Sequence, residues 1–343
     1  MNTPSYFTKI TALLGVAVFL TMGLTTVHAV NVAALVDNIQ AASGDKQKQA
    51  ARQAGQMIAE NVDGKTAAAD IVALLNSLPR PLSGVLAGSI VIGAAQKNPV
   101  FLPLFNAAAV TANDTTIAVA PAILSEVTAS APLARASAIA TPIGLAYAEH
   151  RTLMVQAPQL ITAMAKQIIA KKGNAELTAT QLADTIAALT VLLPGSDAER
   201  LGIIENISRD VAQMLEANKL SHLAPLIVGQ LGSTLKAIGG SADTSALVAR
   251  IGSAFSDSIS NRAVKAEIAS MVAAVNSGAV GTSSDFAAII AAARPVTIEG
   301  PYVNDGPSGL TGVANAIQIP GTIFVFPPHR GAITPPDTLN QNQ

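Results

Sequence analysis

Three observations on this 343-residue chain predict an all-α fold. Apolar residues recur at the i, i+3, i+4, i+7 spacing that gathers them on one face of a helix. Alanine, which has the best intrinsic helix propensity, occupies 65 positions, close to a fifth of the chain. Boundary signals recur about every twenty residues, one helix plus a short loop. Half of the residues are hydrophobic and 13% are charged, the reverse of a disordered composition.

The faces can be followed in order. Val32, Leu35, Val36 and Ile39 make the first, and Ala50, Ala54, Met57 and Ile58 the second. Leu160, Ile161, Met164 and Ile168 carry the pattern, followed by Leu182, Ile186, Leu189 and Leu193. Ile204, Ile207 and Val211 with Met214 or Leu215 come next, then Leu247, Val248, Ile251 and Phe255. Val264, Ile268, Met271, Val272 and Val275 close the series. Strand-like alternation is almost absent before Arg294.

Starts are read from proline and from capping residues. Pro81, Pro99, Pro121, Pro142, Pro158 and Pro225 suit a first turn, where a missing N–H costs nothing. Thr178 with Gln181, and Ser196 with Glu199, fit the capping box, in which each side chain covers the other's orphan donor. Lys171-Lys172-Gly173 reads as a stop, cations followed by a glycine able to turn left-handed. Further starts fall near Lys46, Thr66, Ser221, Asp243, Asn261 and Ser283, and Pro132 should break or kink the Pro121 unit. Two such units make a hairpin of about forty residues, in the range of stacked helical-repeat arrays. The expected architecture is a set of stacked antiparallel helical hairpins, about 13 helices over residues 30–294. They would form either an α-solenoid-like array or an irregular multi-helix bundle.

The two ends obey other rules. The first nine residues hold Lys9 and no acid; an apolar stretch runs from Ile10 to Val27, and Val27-His28-Ala29 offers small residues at the first and third positions. That is the grammar of a signal peptide, so residues 1–29 are expected to be removed between Ala29 and Val30. The protein would then be secreted or periplasmic, with no integral membrane span left. The absence of cysteine suits an oxidising compartment. From residue 295 to 343 lie eight of the nineteen prolines. Two strand-like runs, Val296–Glu299 and Ile317–Phe326, interrupt this extended Pro/Gly-rich arm. Ile317, Ile319, Ile323, Phe324 and Phe326 are its candidate interaction residues.

Chemistry-bearing patterns are weak. Without cysteine there is no thiol nucleophile and no Cys-based zinc site. His150 sits in Glu149-His150-Arg151, whose neighbours diverge on a helix; His222 lies near a helix start, and His329 lies in the tail. Gly306-Pro307-Ser308-Gly309 lacks the serine-elbow register. Gly229, Gly232, Gly239 and Gly240 follow no strand and read as helix ends and tight packing rather than a nucleotide loop. The lysine clusters Lys46/Lys48/Arg52 and Lys166/Lys171/Lys172 read as solvated faces, and a net charge of −1 lends no footprint for nucleic acid. Asn113-Asp114-Thr115 and Asn206-Ile207-Ser208 match glycosylation sequons.

One interior stretch stands apart. From Pro81 to Leu124 only Lys97 and Asp114 are charged, and Gly84, Gly88 and Gly93 would let a neighbouring helix come close. A helix apolar all round is normally buried, so this is expected to be the middle of the stack. No cofactor or metal is expected. The reading is an exported, non-enzymatic structural or protein-interaction protein that binds a protein partner or a second copy. The alternative is a periplasmic or extracellular carrier of an apolar ligand or lipid.

Overall fold

The computed structural model describes residues 30–60, 62–191, 193, 197–239, 244–279, 316–319 and 322–325. Fifteen α-helices form among these residues. In chain order they are α1 (Val32–Ala41), α2 (Asp45–Ala59), α3 (Gly64–Ser77), α4 (Gly84–Lys97) and α5 (Leu102–Val110). Then come α6 (Asp114–Ala118), α7 (Ala120–Ser130), α8 (Ala136–Leu145), α9 (Arg151–Val155) and α10 (Ala157–Ala170). The last five are α11 (Ala175–Thr190), α12 (Asp197–Ala217), α13 (Ala224–Gly239), α14 (Thr244–Ser258) and α15 (Arg262–Asn276). The protein is all-α across its described core. In the tail, the described residues are two short strands, Ala316–Ile319 and Thr322–Val325, paired antiparallel with Ile317 opposite Phe324 and Ile319 opposite Thr322. Gln318 faces Ile323. Residues 1–29, Phe326, His329, the Val296–Glu299 run and the Ser283 start lie outside the described residues. Val30, the first described residue, packs half-buried against the core.

The boundaries follow side-chain chemistry. Asn31, Asp63, Asn113, Asn174 and Asn261 each accept a backbone N–H in the first turn of the next helix, satisfying donors that have no intrahelical partner. Pro121 and Pro158 stand in the first turns of α7 and α10, as expected. Pro99 opens a single 3₁₀ turn, Pro99–Phe101, ahead of α5. Ser221 likewise opens the turn Ser221–Leu223 before α13. Pro132 ends the unit it interrupts: α7 stops at Ser130, and a 3₁₀ turn, Leu133–Arg135, leads into α8.

Several local expectations are corrected. Pro142 lies inside α8, not at its start, because the boundary had already been set by Pro132. Thr178 does not cap α11; Asn174 does, and Thr178 is buried one turn further in. The left-handed residue after α10 is Lys172 (φ 48°), not Gly173. Gly173 is small for another reason, since a Cβ there would stand 2.3 Å from Leu133 Cδ2. On α2 the buried face is Ala51, Ala54, Gly55, Ile58 and Ala59, which leaves Met57 54% exposed. The apolar spacing of this helix fits two faces, and packing chose the smaller side chains. The helices also outnumber the expected thirteen, because α1 precedes the first expected start, the Pro99 interval holds both α5 and α6, and Pro132 splits the Pro121 interval into α7 and α8.

The helices stand in two rows. In one, α2 lies against α4, α4 against α7, α7 against α10, α10 against α12 and α12 against α14. In the other, contact runs in the same way through α1, α3, α5, α8, α11, α13 and α15. Helices one step apart in a row run the same way. Gln56 Nε2 donates to Gln96, Asn98 Nδ2 to the Ala59 carbonyl, and Lys97 meets Glu60 at 3.1 Å, so α2 and α4 end together. The helix between them must therefore return. Further long-range bonds keep the same stride: Gln167 to Ser125, Lys171 to the Ala129 carbonyl, Ser137 to Gln181, and Arg250 to Glu205 span 42 to 45 residues. Glu216 ties one turn of the stack to the next by accepting from the Ser221 and Ser260 hydroxyls.

The Pro81–Leu124 stretch is largely buried within these rows, toward their N-terminal end, with Val85 and Val100 exposed. Gly84 and Gly88, one turn apart, face α7, where an added Cβ would meet Ala122 and Glu126 at 2.6 and 2.8 Å. Gly93 lies on another side of α4 and abuts the Arg52 carbonyl of α2. Gly229 and Gly232 do comparable work on α13, facing Met271 and Val248. Aliphatic side chains fill the seam, with Phe105, Tyr147 and Phe255 its largest fully buried members. The Tyr147 hydroxyl has no hydrogen-bond partner, and burial pushes its pKa up. Because an unsatisfied buried hydroxyl costs roughly 1–3 kcal/mol, Tyr147→Phe should raise the denaturation midpoint, gaining about 1 kcal/mol in a urea titration. A lower midpoint would show that the hydroxyl does have a partner.

Candidate functional site

α4 is flanked on both sides but not covered evenly along its length. Over its C-terminal half a cleft of about 500 Å³ opens, lined by residues of α2, α4, α5, α7 and the segment leading into α8. Its floor is aliphatic: Ile92 and Ala95 from α4, Leu102 from α5, and Val127 and Ala131 at the end of α7. Pro99 and Pro132 stand among its lining residues. Arg52 of α2 and Arg135 of the turn before α8 are its two charged residues, accompanied by Gln96 and Ser130.

An ion-pair bridge crosses α4 one step away. Glu126 of α7 accepts from Arg52 at 3.4 Å and stands 3.4 Å from Lys48. This pairing spans 74 residues, nearly two strides, where other inter-helix bonds span one. It is possible because Gly88, directly beneath Glu126, raises no side chain between the partners. Glu126 neutralises one of its two cations. Arg135 Nη1 donates to the Pro99 carbonyl at 3.4 Å, a long bond that leaves the guanidinium's remaining donors available. The cleft therefore combines a low aliphatic floor with net positive charge.

Comparison of the chain with protein-family models, curated proteins and solved structures finds no match in any of the three. The chemistry of the site must be read from its own residues.

Lys46, Lys48 and Arg52 lie on a face that is largely solvated, as the sequence suggests; Lys48 and Arg52 also pair with Glu126, and Arg52 lines the cleft. Lys171 is likewise half-buried on the Ala129 carbonyl, and burial lowers its pKa. His150 caps the short α9 without a side-chain bond, and His222 is exposed in a single turn. Asn113 caps α6 and donates to Asn76, while Ser208 of the second sequon is buried inside α12. No group of three or more acidic or histidine side chains gathers among the described residues. Nor is any described helix long and apolar enough to cross a membrane.

A second feature escaped the sequence. Asp184 is only 4% exposed in α11, one oxygen lacks a partner, and burial pushes its pKa up to about 7 against the pull of the Gln230 side chain. The apolar stripe expected for α11 was one-sided. The helix is buried almost all round because α8 and α13 flank it in its own row and α10 covers it from the other.

Proposed function

We propose that this is an exported, non-catalytic scaffold in which an α-solenoid-like array of helical hairpins displays a continuous surface to a protein partner or a second copy. The observation that carries this reading is the recurrence of inter-helix bonds at a stride of about forty residues. Each hairpin then rests mainly on its neighbours, the arrangement of repeat arrays whose extended faces bind other proteins. A few threonines and the asparagine caps support the same reading. Thr111, Thr141 and Thr190 donate to carbonyls one turn back, and the asparagine caps are spent on helix ends, so these groups serve the backbone rather than a reaction.

The Pro-rich arm is the segment this reading assigns to association, through Ile317, Ile319, Ile323, Phe324 and Phe326. Sedimentation velocity on the chain from Val30 onward tests it. The full chain should associate at micromolar concentration, and deletion from Arg294 should return a monomer with an unchanged helical spectrum. Unchanged association after the deletion would remove the arm's role.

The cleft over α4 favours a second reading, that of a carrier of an apolar ligand. An aliphatic concavity of this volume lies within the range of small-molecule sites. Native mass spectrometry of the purified protein, with solvent extraction, should then show a retained small molecule.

A further inference from the structure

We infer that the cleft over the C-terminal half of α4 binds an amphiphile with one carboxylate head and an aliphatic body, the head held by Arg135 and Arg52. The inference deepens the carrier reading and does not depend on the scaffold one. Charge complementarity selects the head. Of the two arginines that line the cleft, Arg52 shares Glu126 with Lys48, while Arg135 bonds only the Pro99 carbonyl and has no carboxylate partner among the described residues, so an added anion has an unmet partner. Both cations that line the cleft are arginines, whose planar fork suits a two-oxygen acceptor. The floor selects the body. Ile92, Ala95, Leu102 and Val127 offer carbon surface, and among the described residues no aromatic ring lines the cleft to stack a nucleobase. The Lys48–Glu126–Arg52 bridge joins the α2 and α7 walls across α4, so the space suits a small molecule better than a long peptide.

Isothermal titration with dodecanoate at neutral pH tests this on the chain from Val30 onward. One equivalent should bind, with dodecanol weaker and dodecyltrimethylammonium weaker still. Arg135→Gln should weaken dodecanoate about tenfold, the low end of what a hydrogen bond to a charged group contributes. The same variant should leave dodecanol unchanged. Arg135 makes a single long bond, so its variant should fold normally by circular dichroism. Arg250→Gln, a distant exposed control on α14, should bind like the parent. Ala95→Phe, which fills the floor, should remove both dodecanoate and dodecanol. Absence of dodecanoate binding, equal affinity for the cationic amphiphile, or indifference to Arg135→Gln would overturn the proposal. If native mass spectrometry still shows a retained ligand when Arg135→Gln has no effect, the carrier reading survives and this site does not.

Discussion

Gly93→Ala is expected to destabilise the protein by about 3 kcal/mol, although alanine is the better helix former by about 1 kcal/mol. The reason is where the methyl would go. A Cβ on Gly93 would stand 2.0 Å from the Arg52 carbonyl oxygen, and one on Gly55 would stand 2.0 Å from that of Ile90. These are backbone atoms, which cannot rotate aside as a side chain can. The α2 and α4 backbones touch at these two glycines, and either substitution must pry the helices apart. Because both open one interface, the double variant should cost less than the sum of the two. Gly202 supplies the control. It lies within α12 with nothing inside 4 Å of its missing Cβ, so Gly202→Ala should stabilise by about 0.5–1 kcal/mol. Urea titrations of the three single variants check the reversal of sign. A neutral or stabilising Gly93→Ala would mean that α2 and α4 are not in contact there.

Asp184→Asn should stabilise the protein in mildly alkaline solution and leave it nearly unchanged in acid. Folding takes this carboxyl from its ordinary value of 3.8 up to about 7, because the charged form is poorly solvated between α11 and its neighbours. The folded chain thus holds a proton that the unfolded chain has released. Stability is complete below about pH 4 as far as this group is concerned, falls as pH rises, and levels off above about pH 7. A rise of that size corresponds to about 4 kcal/mol. The asparagine variant cannot ionise, so at pH 8 it should exceed the parent by up to about 4 kcal/mol, and the two curves should converge near pH 4. Parallel curves across that range would show that Asp184 is ionised and solvated in the folded protein.

What is buried on α11 shows where the sequence stops being sufficient. Leu182, Ile186 and Leu189 predict the helix and one of its faces, and all three are buried. That the opposite face is buried too, Asp184 included, follows from helices α8 and α13, whose sequences lie about forty residues away on either side. Arg52 poses the same problem. Its neighbours Lys46 and Lys48 mark an exposed strip of α2, but only the third helix of the row, with Glu126, decides that the strip bends over α4 toward a cleft. The Lys172 turn was missed for a related reason. Two consecutive residues could stop the helix, and the side chain of Leu133, from another hairpin, occupies the space beside Gly173.

By itself the amino-acid order determined the helices, most of their limits and their stride, because propensity, capping and proline act over a few residues of contiguous chain. The tertiary structure decided which face of each rod is inner, how closely α2 and α4 approach, and where Arg52, Arg135 and Asp184 come to rest. Those outcomes depend on side chains one or two strides away. An inter-helix surface is a property of two sequences at once, and no periodicity within either one contains it.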